Sequence, residues 1–172
     1  MRAFALLLIL LCAAPARAGG LTPFEDETTG LWGYKDAATG ALAIAAKYRL
    51  AEPFSAQDRA FAASDQGWVC LDPQGRELLT AFTFDNGPDA FSEGLARFVE
   101  NGKYGYFDRS CRKVIPANFD FGEPFRDGLA AVCQGCTRQD SGEHWSMTGG
   151  AWSCLDRSGK PVAPRPGRDC RR

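Results

Sequence analysis

Trp32-Gly33-Tyr34-Lys35-Asp36, Trp68-Val69-Cys70-Leu71-Asp72, Tyr104-Gly105-Tyr106-Phe107-Asp108 and Trp152-Ser153-Cys154-Leu155-Asp156 are one five-residue phrase written four times. The first three copies start 36 residues apart, and the fourth starts 48 after the third, one period plus a 12-residue insertion. A period of this length marks a repeat architecture, in which each unit buries its apolar face against its neighbours. Within each copy the aromatic, the residue two on and the aspartate share one face of a short strand.

A turn follows each phrase: Ala37-Ala38-Thr39-Gly40, Pro73-Gln74-Gly75, Arg109-Ser110-Cys111 and Arg157-Ser158-Gly159. Aspartate at a turn start caps nearby backbone N–H groups, and glycine near the end accepts positive φ. The recurring Asp36, Asp72, Asp108 and Asp156 are therefore read as turn caps, and Cys111 stands where two other copies have glycine. A second strand comes next, at Leu42-Ala43-Ile44, Leu78-Leu79-Thr80, Val114-Ile115-Pro116 and a shortened Val162-Ala163-Pro164. A third strand closes the unit. Phe91-Ser92-Glu93-Gly94-Leu95-Ala96-Arg97-Phe98-Val99 and Phe125-Arg126-Asp127-Gly128-Leu129-Ala130-Ala131-Val132-Cys133 match position by position, and Phe54 to Phe61-Ala62-Ala63 is a degenerate copy. One helical turn around Phe91-Ser92-Glu93 is allowed. Asn101-Gly102 predicts a type I′ hairpin turn into the next phrase. The expectation is an all-β chain: a tandem array of about four three-stranded antiparallel repeat units, period about 36 residues, the last one truncated.

These residues resemble the WG-repeat family of β-rich tandem repeats common in bacterial proteins. The nearest stretch is Asn101-Gly102-Lys103-Tyr104-Gly105-Tyr106-Phe107-Asp108, then Val114-Ile115-Pro116, Phe119-Asp120 and Phe125-Arg126-Asp127-Gly128-Leu129-Ala130. The resemblance covers nearly all of residues 30–164. Only Trp32-Gly33 keeps the literal Trp-Gly pair, and Cys70 and Cys154 replace the tyrosine seen at Tyr34 and Tyr106. The resemblance implies a β-repeat fold and an interaction surface, and brings no catalytic residues with it.

The first 18 residues read differently. Arg2, an apolar run centred on Leu6-Leu7-Leu8-Ile9-Leu10-Leu11, and Ala16-Arg17-Ala18 before Gly19 have the form of a secretory signal peptide cut between Ala18 and Gly19. The run is short of the roughly 20 residues a membrane span needs. A lipoprotein reading at Cys12 is disfavoured by the bulky Leu11 before it. The expected mature chain is one β domain over residues 19–164, with an insertion loop at about 134–150 and a basic tail over 165–172. It has no membrane span and is secreted or periplasmic. A formal net charge of −1 gives no electrostatic case for nucleic acid.

Beyond Cys12, six cysteines remain: Cys70, Cys111, Cys133, Cys136, Cys154 and Cys170. An even count in an exported chain reads as disulfides, with the pairing open. Cys133-Gln134-Gly135-Cys136 also permits a thiol–disulfide site. With His144 and Cys154 it permits a zinc site, although the spacing fits no standard finger. The insertion carries the single histidine, His144, with Trp145 and Met147, and is the candidate binding loop. One imidazole, no nucleophile elbow and no calcium loop leave no catalytic constellation. No enzyme activity, cofactor or metal is expected. The leading reading is an exported binding module of the cell envelope whose partner is another protein or an envelope component. Exposed repeat aromatics binding a carbohydrate form a further alternative.

Overall fold

The computed structural model describes residues 20–142, 144–163 and 170. The expected leader, and the expected tail apart from Cys170, lie outside the described residues. Sixteen strands are present among them and no α-helix. The first sheet is β1 (Leu21–Asp26), β2 (Leu31–Asp36) and β3 (Leu42–Tyr48). The second is β4 (Leu50–Ala51), β5 (Ala60–Ser64), β6 (Gly67–Leu71) and β7 (Glu77–Thr80). A two-stranded hairpin, β8 (Thr83–Phe84) and β9 (Gly87–Pro88), precedes the third sheet of β10 (Leu95–Glu100), β11 (Lys103–Asp108) and β12 (Lys113–Phe119). The fourth is β13 (Phe121–Gly122), β14 (Leu129–Ser141), β15 (His144–Asp156) and β16 (Pro161–Val162). All pairings are antiparallel.

The sheet is offset from the sequence unit. Each Trp- or Tyr-led strand is central and pairs backward with the closing strand of the preceding unit, as in Leu95↔Asp108 to Glu100↔Lys103. The first unit has no predecessor, and β1 supplies that partner, with Leu21↔Asp36 to Asp26↔Leu31. The truncated last unit adds a short second strand, with Val162 and Pro161 opposite Cys154 and Leu155.

The sheets stack through their alternating side chains. Tyr34, Ile44 and Tyr48 of the first meet Ala62, Val69 and Leu71 of the second. The opposite face of the second, Trp68, Cys70 and Leu79, meets Ala96, Phe98 and Phe107 of the third. Leu95, Tyr106 and Ile115 then meet Ala130, Val132 and Leu155 of the fourth. An inner strand buried on both faces reads as a continuous apolar run, as Trp68-Val69-Cys70-Leu71 does.

The glycine of the Trp-Gly phrase has a steric cause. A Cβ on Gly33 would sit 2.5 Å from the Ile44 carbonyl, and one on Gly105 2.5 Å from the Ile115 carbonyl. Both glycines face an irregularity where the unit's second strand, β3 or β12, bulges across them, between Trp32 and Tyr34 and between Tyr104 and Tyr106. The second unit has Val69 instead, and there Val69↔Thr80 and Cys70↔Leu79 pair without a shift. Glycine accordingly accompanies the bulged partner strand.

The turn caps form as expected. The Asp36 Oδ1 accepts the N–H groups of Ala38 and Thr39 at 3.0 and 2.8 Å. Asp72 accepts those of Gln74 and Arg76, Asp108 those of Ser110 and Arg112, and Asp156 those of Ser158 and Lys160. The Thr39 N–H holds the Asp36 carboxyl below its usual range, and the Ser158 hydroxyl does the same for Asp156. At Asp72 burial pushes the other way, but the bonds from Arg76 outweigh it and the net shift is downward. A carboxyl whose folded pKa lies below its unfolded value contributes stability above the unfolded pKa and loses it as pH falls through the folded one. The urea midpoint is therefore expected to stay level above about pH 5 and to decline below about pH 4. A midpoint that does not fall below that point would contradict the capping account.

At Phe91-Ser92-Glu93 the allowed helical turn does not form. Ser92 and Leu95 bridge across Glu93-Gly94, both at positive φ (52° and 87°), which is a tight hairpin turn. Asp127-Gly128 repeats it between Arg126 and Leu129. Asn101-Gly102 makes the expected type I′ turn, at φ 52° and 73°.

The cysteines replace a tyrosine in a specific way. In the first and third units the Tyr34 and Tyr106 hydroxyls donate to the carbonyls of Glu52 and Glu123, each at 2.8 Å. Their rings meet Phe54 and Phe125 edge-on at 5.0 and 4.9 Å. Burial pushes both hydroxyl pKa values up, keeping them neutral donors. In the second unit Cys70 leaves that volume open. Cys111, at φ 55° in the following turn, reaches into the same cluster and bonds to Cys70. In the second and fourth units that turn position is glycine, with Gly75 against Ile44 and Gly159 against Ile115. In the fourth unit Cys154 bonds to Cys170, tying residue 170 back to β15.

Candidate functional site: an aromatic groove beneath a β-arm

The insertion is not a loop. Where Asn101-Gly102 turns the preceding hairpin, β14 and β15 run on as a two-stranded arm, from Cys136↔Gly149 to Ser141↔His144. The expected loop at about 134–150 is corrected to paired strand for most of its length. The glycines instead bend the arm at its base. Gly135, Gly149 and Gly150 all take positive φ, and a Cβ on Gly150 would lie 2.5 Å from the Cys136 N and 2.6 Å from the Gln134 carbonyl. Cys133 and Cys136 are disulfide-bonded across this bend, with Cα atoms 6.1 Å apart. Residues three apart in a straight strand are separated by about 10 Å, so the bond and the bend require each other. Asp120 braces the same base: it accepts the Gly135 N–H at 2.6 Å and pairs with Lys103. The Lys103 ammonium, then the Gly135 N–H, hold its carboxyl below the usual range.

The bend carries the arm over a cluster of rings. Trp145 meets Phe121 edge-on at 5.5 Å, and Phe121 in turn meets Tyr104 at 5.3 Å and Trp152 at 6.4 Å. Phe82 meets Tyr104 at 5.2 Å. Burial raises the Tyr104 hydroxyl pKa, so it faces the site as a neutral group. Opposite the arm stands the β8–β9 hairpin, turned by Asp85 and Asn86 at φ 50° and 65°. Between them lies a cleft of about 310 Å³, with Thr83, Phe84 and Asp85 on one wall, Arg138, Trp145 and Met147 on the other, and Phe82, Tyr104 and Asp120 below. A hollow of about 420 Å³ shares Phe82, Thr83 and Tyr104 with it, and one of about 350 Å³ shares Trp145 and Met147. Together they make a groove across three units. Its rim keeps apolar surface in water: Phe84 is 59 % exposed and Trp145 36 %. Arg138 lies 4.9 Å over the Trp145 ring and bonds to Asp140.

Beneath the floor is a buried ion pair. Arg97 and Asp89 side chains are 6 % and 4 % exposed. The guanidinium gives Asp89 two bonds, at 2.8 and 2.6 Å, donates a third to the Gly122 carbonyl at 3.1 Å, and stacks 4.6 Å from the Phe82 ring. It thus joins the loop before β10, β10 itself and β13, and supports the ring that lines the groove.

Of the sequence-predicted residues, Trp145 and Met147 lie in the groove. His144 pairs with Ser141 through its backbone at the arm tip, and its side chain is outside the described structure. All six cysteines are paired: Cys70 with Cys111, Cys133 with Cys136, Cys154 with Cys170. The repeat aromatics divide. Trp68 is core, Trp32 is partly buried against the cluster around Tyr34 and Tyr48, and Tyr104 and Trp152 join the groove cluster. Sequence reasoning did not single out the β8–β9 hairpin or the Arg97–Asp89 pair. Both left signals. Thr83-Phe84-Asp85-Asn86-Gly87 is a turn phrase between short strands, and Arg97 occupies a position that is Ala62 in the first unit and Ala131 in the third.

No helix among the described residues is long and apolar enough to cross a membrane. No curated protein and no solved structure matches the chain. A family model described as the WG containing repeat matches residues 70–104 and 104–135. The two matches abut at Tyr104, and both lie on the stacked sheets that form the floor of the groove. Residues 70–135 are therefore two adjacent WG-containing repeats within this chain.

Proposed function

We propose that this protein is an exported, disulfide-stapled interaction module of the cell envelope that holds a partner in the aromatic groove and catalyses no reaction. One observation carries the reading. The largest departure from the repeat, the β14–β15 arm, bends back so that Trp145 and Met147 face the β8–β9 hairpin across a cleft in which rings alternate with polar and charged groups. Leaving large apolar side chains in water forgoes about 1.5–3 kcal/mol each, which a partner covering them recovers. Three disulfides suit an oxidising compartment, in keeping with the leader-like first 18 residues.

A glycan is the second reading. It is favoured by the exposed rings of Phe84 and Trp145 flanking the planar polar groups of Asp85 and Arg138. The thiol–disulfide and zinc readings have less to stand on. Thiol exchange needs access to sulfur, and Cys133 and Cys136 are only 1 % and 7 % exposed. Cys133, Cys136 and Cys154, three of the four zinc candidates, already share disulfides.

Immobilised protein offered to a native envelope extract is expected to retain a partner that the Phe84→Ala/Trp145→Ala variant releases, with affinity lowered at least tenfold. Both side chains lie on the rim, so the variant keeps the stacked cores. Equal retention by both proteins, or a measured turnover, would overturn the proposal. Tryptophan fluorescence that responds to a polysaccharide in the native protein and not in the variant would select the glycan.

A further inference from the structure

A second pocket, sharing no lining residue with the groove, opens between the first and third units. In later units the closing strand is entered through Glu93-Gly94-Leu95 and Asp127-Gly128-Leu129. The first unit has Asp58-Arg59-Ala60. Asp58 keeps the left-handed backbone, at φ 60° against 52° for Glu93 and 53° for Asp127, but arginine replaces the glycine that follows. A cationic side chain has entered the repeat at a position that elsewhere carries none.

Its guanidinium is directed along the stack. Arg59 Nε donates to the Ser110 carbonyl at 2.8 Å, and Nη1 to the Asp58 carbonyl at 2.7 Å. Next to Ser110 is Arg109, whose guanidinium lies 4.8 Å over the Phe91 ring. Both arginines, with the donors Ser55 and Gln57, line a pocket of about 190 Å³ whose wall includes Phe61 and Phe91. Neighbouring turns treat arginine differently: Arg76 and Arg112 are each clamped by the aspartate four residues earlier, Asp72 and Asp108. Among the described residues, no carboxylate lies within salt-bridge distance of Arg59 or Arg109. Each guanidinium has five N–H donors, and Arg59 directs its two hydrogen bonds to neutral carbonyls. The one acid on the wall is Glu52, and burial raises its carboxyl pKa, opposing the charged form. Two cations with free donors, in a pocket too small for a polymer, match the fork geometry by which arginine grips an oxyanion.

We propose that the Arg59–Arg109 pocket binds a compact oxyanion, the carboxylate or phosphate group of a small molecule. The test uses the full chain and two probes, inorganic phosphate and acetate, titrated at constant ionic strength against chloride. Amide and arginine Nε resonances are followed by NMR. The expected result is a saturable shift confined to residues 52–61, 91 and 109–110, with one probe binding more tightly and so identifying the group. Arg59→Gly restores the residue the other units carry and is expected to keep the fold while weakening binding at least tenfold. Arg109→Ala is expected to do the same. The proposal is overturned if neither probe gives a saturable shift, if chloride reproduces it, or if either variant, its spectrum otherwise native, binds as the parent does.

Discussion

Replacing Arg97 with alanine is expected to lower the unfolding free energy by about 3–5 kcal/mol, the usual consequence of breaking a buried ion pair from one side. Alanine itself is sterically welcome at this place in the repeat, because Ala62 and Ala131 occupy it in other units and are fully buried there. The loss would therefore arise from charge. Asp89 would keep only the Arg97 backbone N–H, Gly122 would lose its side-chain donor, and Phe82 its stacked guanidinium. Urea unfolding of Arg97→Ala, Asp89→Ala and the double variant checks this. The double variant is expected to fall short of the sum of the singles by about 1–3 kcal/mol, since it removes both charges together. Additive single effects would show that the pair is not coupled. Because Phe82 lines the groove, Arg97→Ala is also the variant in which lost stability and a disturbed groove floor should coincide.

The second large effect is expected at the disulfide between Cys70 and Cys111. The two residues are 41 apart in sequence, and a cross-link of that span removes about 4 kcal/mol of chain entropy from the unfolded state. Cys70→Ala/Cys111→Gly should lose about that much, and also leaves a void in the core cluster around Trp68, Leu79 and Phe107. Cys70→Tyr/Cys111→Gly supplies the pair of residues found around Tyr34 and Tyr106. The new hydroxyl would lie near the Asp89 carbonyl, the counterpart of the Glu52 and Glu123 acceptors. It is expected to be the more stable of the two variants, by about 1–2 kcal/mol. The reverse order in denaturant melts would contradict the view that cysteine and tyrosine are alternative fillings of one volume. The Cys133–Cys136 bond closes a far shorter loop, with a separation of 3, and contributes correspondingly less by the same entropy. Its consequence is local, at the bend of the arm.

Much of this fold is legible in the phrase that opens the chain's repeat. The aromatic period gives the units, Asp with a later glycine gives the capped turns, and Asn101-Gly102 gives a hairpin that forms as read. The arm is not legible for a physical reason. Its residues from Thr137 to Ser141 are exposed throughout, so no alternation of apolar and polar side chains distinguishes strand from loop, and its glycines imitate loop composition. β1 is hidden because Leu21–Asp26 stands outside the period and is a strand only by pairing with β2. The groove is partly legible. Trp145 and Met147 stand out in the insertion, whereas Phe82, Phe84 and Tyr104 become a site only when the bend brings the arm over them. Arg97 and Arg59 teach a narrower lesson. Each is a charge where other units carry alanine or glycine. In a repeat protein such a substitution is informative within a single sequence, because the other units serve as the comparison.

The cysteines, the places where the repeat breaks, are matched to one another: Cys70 to the turn of the next unit, Cys133 and Cys136 to the bend of the arm, Cys154 to residue 170. Proteolytic digestion of the oxidised protein, with mass spectrometry of the linked peptides, tests this matching most directly. The expected map is Cys70–Cys111, Cys133–Cys136 and Cys154–Cys170. A map that joins Cys133 or Cys136 to any other cysteine, or leaves Cys70 and Cys111 as free thiols, would contradict it.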